Sequence, residues 1–171
     1  MQGLRLSAVS YVVLGFVDWA GEATPYRLKQ LVAGSVGNFW TLQHAQLYTE
    51  PERLAEAGYL TEERERGGRR RKLYSITDRG RQALAAWRAE PTDAIPELRA
   101  PALLKLFFGA DPAGLAPLQI EAHRRKLAEY EAIRDSMPGS VPEGPRLALD
   151  AGIASERQQI EWWQQLAGND G

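Results

Sequence analysis

Two groups of side chains in this chain have the types and spacing to recognise a polyanion. One is the run Arg69-Arg70-Arg71-Lys72, which follows Gly67-Gly68 and closes a stretch, residues 64–72, in which six of nine residues are basic. The other is the polar series Gln43, His44, Gln46, Tyr48, Thr49 and Arg53. Arginine and lysine neutralise phosphate oxygens, while short polar side chains on one helical aspect reach base edges or hydrogen-bond the backbone of a duplex. Each residue also has a plainer reading. The basic run could be a solvated hairpin tip, His44 could pack on Phe39 or Trp40, Tyr48 could turn its ring to a neighbouring helix, and Arg53 could pair with Glu50 or Glu56.

Catalytic chemistry lacks its parts. With no cysteine and only His44 and His123, thiolate nucleophiles, disulfides and cysteine- or histidine-rich metal sites are excluded. No glycine-rich phosphate loop with its lysine occurs, and no local spacing supports a serine triad. The expectation is a protein that is not an enzyme and that carries neither metal nor cofactor.

The elements that must position these residues can be read from apolar spacing. Val9, Val12, Val13, Phe16 and Val17 predict a helix over Ser7 to Trp19, with Ser7 or Ser10 near its start. Thr24-Pro25 is a cap and first-turn signal for a second helix through Tyr26, Leu28, Leu31 and Val32. A third helix should begin near Thr41 to Gln43 and run to Ala57. Ala45, Leu47, Leu54 and Ala57 should face inward there, and Gln43, His44, Gln46, Thr49, Glu50 and Arg53 outward. Gly58 supplies a left-handed cap into a strand, Tyr59 to Thr61. Its partner is Leu73 to Ile76, and the basic run forms the turn between them. Thr77-Asp78 starts a helix to Arg88, with Ala83, Leu84 and Trp87 on its apolar side.

The stretch from Glu90 to Pro101 reads as a linker, followed by a short apolar helix, Ala102 to Phe108. Two long helices are then expected, Pro112 to Met137 and Pro142 to Leu166, broken by Met137-Pro138-Gly139. Their stripes run through Leu115, Leu118, Leu127, Tyr130 and Ile133, and through Leu147, Leu149, Ile153, Ile160, Trp163 and Leu166. Two helices alone bury such stripes poorly, which points to a second subunit. The fold class is therefore mainly α: an N-terminal winged helix-turn-helix with a two-stranded wing, followed by an α-helical dimerisation domain. The expected boundaries are 1–90 for the winged helix, 91–110 for linker and connecting helix, and 111–171 for dimerisation.

Charge distribution agrees with this division. The net charge of -1 averages residues 1–90, with 13 basic and 10 acidic side chains, and residues 91–171, with 8 and 12. A basic patch can hold phosphates on a slightly acidic chain, because screening confines each charge to roughly 8 Å at physiological salt. No apolar run is long enough to span a bilayer, so no membrane partner is expected and the cytoplasm is the expected compartment. The aromatic residues Phe39, Trp40, Trp87, Phe108, Trp162 and Trp163 either pack between the two parts or line a site for a planar hydrophobic effector.

With these segments in view, the chain resembles the PadR family of transcriptional regulators. The likeness rests on Pro25-Tyr26-Arg27-Leu28-Lys29, Phe39-Trp40, Gln46-Leu47-Tyr48 with Arg53-Leu54, and Gly58-Tyr59-Leu60. It continues through Gly68 to Thr77, Gly80, Leu84 and Trp87, and resumes at Leu98-Arg99, Leu104 to Phe108 and Glu161-Trp162-Trp163. The resemblance implies a homodimeric repressor on a palindromic double-stranded DNA operator, released by a small aromatic or hydrophobic effector. It also implies a third helix in the major groove, with the wing along the adjacent backbone. Members commonly carry an apolar residue three positions after the tyrosine that matches Tyr48, and often a proline directly after it; here Pro51 and Thr49 stand there. A proline inside a helix costs about 3 kcal/mol, so a kink between Leu47 and Pro51, or a restart near Pro51, is expected. The competing class is a winged-helix protein-interaction module without specific DNA binding.

Overall fold

The computed structural model describes residues 4–64 and 71–168. The chain divides into two compact units, Met1–Ala94 and Ile95–Gly171.

The first unit begins with α1 (Ala8–Ala20). Ser7 and Ser10 form a reciprocal capping box at its start, so two amides that lack helical partners are satisfied by side chains. Its buried face carries Val9, Val13, Phe16 and Val17, and Gly21, at φ 75°, turns the chain out of the helix. A two-residue strand follows, β1 (Glu22–Ala23), then α2 (Pro25–Ala33), whose Thr24 Oγ1 accepts from the Arg27 amide at 3.2 Å. A single 3-10 turn, Val36–Asn38, leads to α3 (Gln46–Glu56). Gly58, at φ 78°, then admits β2 (Leu60–Arg64), which pairs with β3 (Lys72–Ile76) ahead of α4 (Asp78–Ala89).

The sheet has three antiparallel strands in the order β1-β3-β2, with Ala23 opposite Tyr74, Leu60 opposite Ile76 and Arg64 opposite Lys72. The wing thus gains a third strand that sequence spacing did not foretell, because two residues are too short to show alternation. The core gathers Val13, Leu14, Val17, Leu28, Leu47, Leu54, Leu60 and Tyr74. Each such side chain contributes roughly 1.5–3 kcal/mol by leaving water.

Three expectations about α3 change. The helix starts at Gln46 rather than near Thr41 to Gln43, because Gln43, His44 and Ala45 form a tight entry whose carbonyls accept from the amides three residues on. Ala45 is exposed and Glu50 is buried, the reverse of the expected sides. Of the two outcomes expected at Pro51, the restart is absent, since α3 is continuous from Gln46 to Glu56. Pro51 is among the most deeply buried residues, so its ring adds packing where its missing amide removes a hydrogen bond.

The second unit holds α5 (Pro101–Phe107), α6 (Pro112–Ser136) and α7 (Glu143–Gly168). Asp111 caps α6 by accepting from the Ala113 amide at 3.0 Å. Trp163 is buried with Ala102 and Ala116, flanked by Leu106, Leu115, Ile120 and Leu166. Tyr130 lies against Gly152, where a β-carbon would stand 3.0 Å from the ring. The α6–α7 pair is further tied by His123 Nδ1 to Glu156 Oε2 at 2.6 Å and by Arg157 to Glu131 at 2.6 Å. Of the expected stripes, Leu118 and Leu147 remain exposed on the single chain.

Candidate nucleic-acid interface

The residues singled out on and before α3 fall into two sets. Gln43, His44, Gln46, Tyr48 and Thr49 are all exposed. Leu47, Glu50, Pro51 and Leu54 form the buried side of the same helix, a spacing of three and four residues that defines one face. The polar group therefore projects from the N-terminal end of a helix anchored by its opposite face. Gln43 and His44 reach that surface from the entry turn and not from the helix. Thr49 Oγ1 also donates back to the Ala45 carbonyl at 3.4 Å.

Arg53 belongs to a different environment. Its Nε donates to Glu50 Oε2 at 2.9 Å and one terminal nitrogen donates to Glu50 Oε1 at 2.6 Å. That nitrogen also donates to Ser10 Oγ at 3.1 Å. The hydrogen bond to the Glu50 carboxylate raises the guanidinium pKa further. Of the two sequence readings of Arg53, the internal pair with Glu50 is the one present.

At the root of the wing, Lys72 Nζ donates to Glu52 Oε1 at 2.5 Å and sits 3.2 Å from Glu62 Oε2. Glu52, above all, raises the Lys72 pKa. The Tyr74 hydroxyl donates to Glu62 Oε2 at 3.1 Å. Burial, followed by the Glu62 contact, pushes the Tyr74 phenol well above its ordinary range. Lys72 was expected to continue the basic run toward phosphate. It is instead matched by two carboxylates and links β3 to α3. Arg71 is exposed beside it, whereas Arg69, Arg70 and the Gly67-Gly68 turn lie outside the described residues.

A third link holds the C-terminal end of α3. Arg79 donates to the Ala57 carbonyl at 2.7 Å while its guanidinium lies over the Tyr59 ring at 4.4 Å. Sequence reasoning offered the Arg53–Glu50 pair but not the contacts of Ser10, Lys72 and Arg79. One signal was available: Glu50, three residues after Leu47 and four before Leu54, places a carboxylate inside an apolar stripe.

The aromatic set is divided between the units. Phe39 and Trp40 are exposed after the 3-10 turn. Trp87 stacks on Tyr11 at 4.6 Å and 7° and borders an apolar groove of about 180 Å3 with Val12, Gly15, Phe16 and Trp19. In the second unit Phe108 is exposed against Phe107. Trp163 is core at 1% exposure, which removes it from any open effector site. Its neighbour Trp162 meets it edge-on and borders a cleft of about 440 Å3 lined by Leu103, Gln158, Gln159, Glu161 and Gln165. Among the described residues, no helix is long and apolar enough to cross a membrane.

Comparison with known proteins places these features in a family. Residues 13–86 match the family described as Transcriptional regulator PadR-like, and residues 98–168 match Virulence activator alpha C-term. The chain is 30% identical over 165 residues to the probable transcriptional regulator Rv1176c of Mycobacterium tuberculosis, covering 83% of this chain and 87% of that protein. It is 27% identical over 179 residues to the negative transcriptional regulator PadR of Bacillus subtilis, covering 94% and 96%. Its fold matches the crystal structure of Bacillus subtilis PadR in complex with operator DNA, with a TM-score of 0.81, 24% identity and 94% and 98% of the two chains covered. The same protein in complex with p-coumaric acid matches at a TM-score of 0.78, with 22% identity and 95% and 97% covered.

Proposed function

The chain belongs to the PadR-like family of transcriptional regulators, and from that premise we propose that it is a homodimeric repressor of the cytoplasm that binds a specific double-stranded DNA operator. The observation that carries this reading is the exposed polar group Gln43, His44, Gln46, Tyr48 and Thr49 on a helix whose opposite face is buried. These side chains read base edges and sugar-phosphate from the major groove, while Arg69, Arg70 and Arg71 of the wing neutralise adjacent phosphates. Lys72 serves the root of the wing, and Arg53 holds the helix.

Residues 1–90 form the DNA-binding domain, 91–110 connect, and 111–171 make the dimer. Exposed Leu118 and Leu147 on α6 and α7 support dimerisation, since a second copy would cover apolar surface that one chain leaves in water. Two-fold symmetry then matches a palindromic operator. The release signal in this reading is a small aromatic molecule, supported by the p-coumaric acid complex of Bacillus subtilis PadR. Within the aromatic set, Trp87 borders an apolar groove of the first unit and Trp162 a more polar cleft of the second, two separate candidate positions for it.

A mobility-shift titration against the chain's own upstream region and a scrambled duplex, at two salt concentrations, tests the reading. Salt-sensitive binding that prefers the upstream duplex is expected. Equal or absent binding, followed by failure of a random-duplex selection to enrich any sequence, would leave the protein-interaction module in its place. Sedimentation should find two 19.0 kDa chains per particle.

A further inference from the structure

We infer that Ser10 and Glu50 form a positioning pin that sets the rotation of α3 about its axis, and that sequence discrimination depends on it. The inference rests on the DNA-binding reading above and concerns residues that do not face the DNA. Ser10 is fully buried and Glu50 is 9% exposed, and they lie forty residues apart in the chain.

The Ser10 hydroxyl has one proton and two lone pairs to place. It donates to Glu50 Oε1 at 2.5 Å, accepts from the Ser7 amide at 2.8 Å and accepts from Arg53 at 3.1 Å. Arg53 in turn engages both Glu50 oxygens and reaches the Arg5 carbonyl at 3.5 Å. The hydroxyl that completes the capping box of α1 is therefore also the point to which α3 is fastened. No buried side-chain polar atom among the described residues is left unmatched.

The pin does what the surrounding apolar contacts cannot. Leu47, Pro51 and Leu54 set how deeply α3 sits, but dispersion and hydrophobic contact are non-directional and tolerate small rotations. A directional carboxylate among them does not, and register is the best-attested use of a buried polar group. The other two ties lie elsewhere on the helix, Glu52 to Lys72 on its exposed side and the Ala57 carbonyl to Arg79 at its end. With side chains, a helix has a radius of about 5–6 Å, so a rotation of about 20° moves a side-chain tip by about 2 Å. That displacement exceeds the roughly 0.5 Å window of a base hydrogen bond. It is small against the roughly 8 Å range of a screened charge. Removing the pin should therefore impair base reading and spare phosphate binding.

The test uses the full chain and a duplex enriched from a random-sequence pool by the parent protein. Ser10→Ala and Glu50→Gln are compared with Ser7→Ala, which weakens the cap of α1 but leaves the Ser10–Glu50 hydrogen bond. Affinities are measured for the enriched duplex and a scrambled one across a salt series, alongside thermal unfolding. The expected result is about a tenfold loss of preference for the enriched duplex in Ser10→Ala and in Glu50→Gln. Scrambled-duplex affinity and salt slope should stay unchanged, the double variant should be no worse than the stronger single one, and Ser7→Ala should keep its preference. Undiminished preference in both pin variants, equal losses on both duplexes, or loss of cooperative unfolding in both would overturn the inference. If the parent protein enriches no duplex, the DNA-binding reading itself falls, an outcome distinct from a parent that discriminates and variants that do so equally well.

Discussion

Glu50 and Tyr74 are buried residues whose polar atoms tie elements of the first unit together, Glu50 to Ser10 and Arg53 and Tyr74 to Glu62. The carboxylate of Glu50 stands among Leu47, Pro51 and Leu54 and is held by Arg53 and Ser10, which leaves Gln46 and its neighbours as the side chains turned outward. Replacing Gln46 with alanine removes an amide suited to a bidentate base contact. It should cost about 1–3 kcal/mol of operator affinity and leave scrambled-duplex binding unchanged, as read in a mobility-shift titration. Tyr74 supplies a pH signature. Its phenol is raised above its ordinary value near 10, chiefly by burial, and Lys72 is raised by its carboxylate partners. Groups raised on folding add stability that is complete below their unfolded pKa values and declines as the pH climbs through the folded ones. Urea unfolding should therefore show stability falling above pH 10, with a shallower fall in Tyr74→Phe.

At the scale of elements, the start of α4 packs closely on Tyr59, just before β2, and on Ile76 of β3. A β-carbon at Gly80 would lie 2.3 Å from the Tyr59 carbonyl oxygen and 2.8 Å from Ile76, and backbone cannot move aside as a flexible side chain does. Gly80→Ala is expected to lower unfolding stability by about 1–3 kcal/mol through overpacking, measured as a lower urea midpoint at constant slope. The same region carries Thr77, which caps α4 at the Gly80 amide and donates to the Gly58 and Tyr59 carbonyls. The end of α3, the start of β2 and the start of α4 are thus one hydrogen-bonded corner. Most of these elements were legible in order and type from caps, glycines and apolar spacing. The start of α3 was not, because Gln43 to Ala45 have helical character in composition yet form a tight turn in place. Strand β1 was hidden by its length of two residues.

For the whole molecule, charge placement matters more than net charge. The first ninety residues are net +3 and the remainder net -4, so DNA affinity has to come from a local patch on a nearly neutral chain. Lys72 is already matched by Glu52 and Glu62, and in the proposed reading Arg69, Arg70 and Arg71 are the residues assigned to phosphate. Replacing Arg69, Arg70 and Arg71 with alanine should weaken binding to enriched and scrambled duplexes alike. It should also lower the slope of log affinity against log salt by roughly one for each phosphate that is no longer neutralised. A salt slope that stays at the parent value would place the phosphate-binding residues elsewhere on the molecule.

The amino-acid sequence by itself determined the helix order, the winged-helix class and the polar and basic residue types offered to DNA. Those follow from local signals, namely periodicity, capping side chains and glycine turns, that act within a few residues. It did not determine which charges were available. Whether Arg53 and Lys72 face a phosphate or an internal carboxylate depends on Ser10, Glu50, Glu52 and Glu62 being brought within hydrogen-bond distance, across up to forty-three positions for Arg53 and Ser10. Only the tertiary structure decided that, because Coulomb attraction and hydrogen bonding act through distance in space and not along the chain.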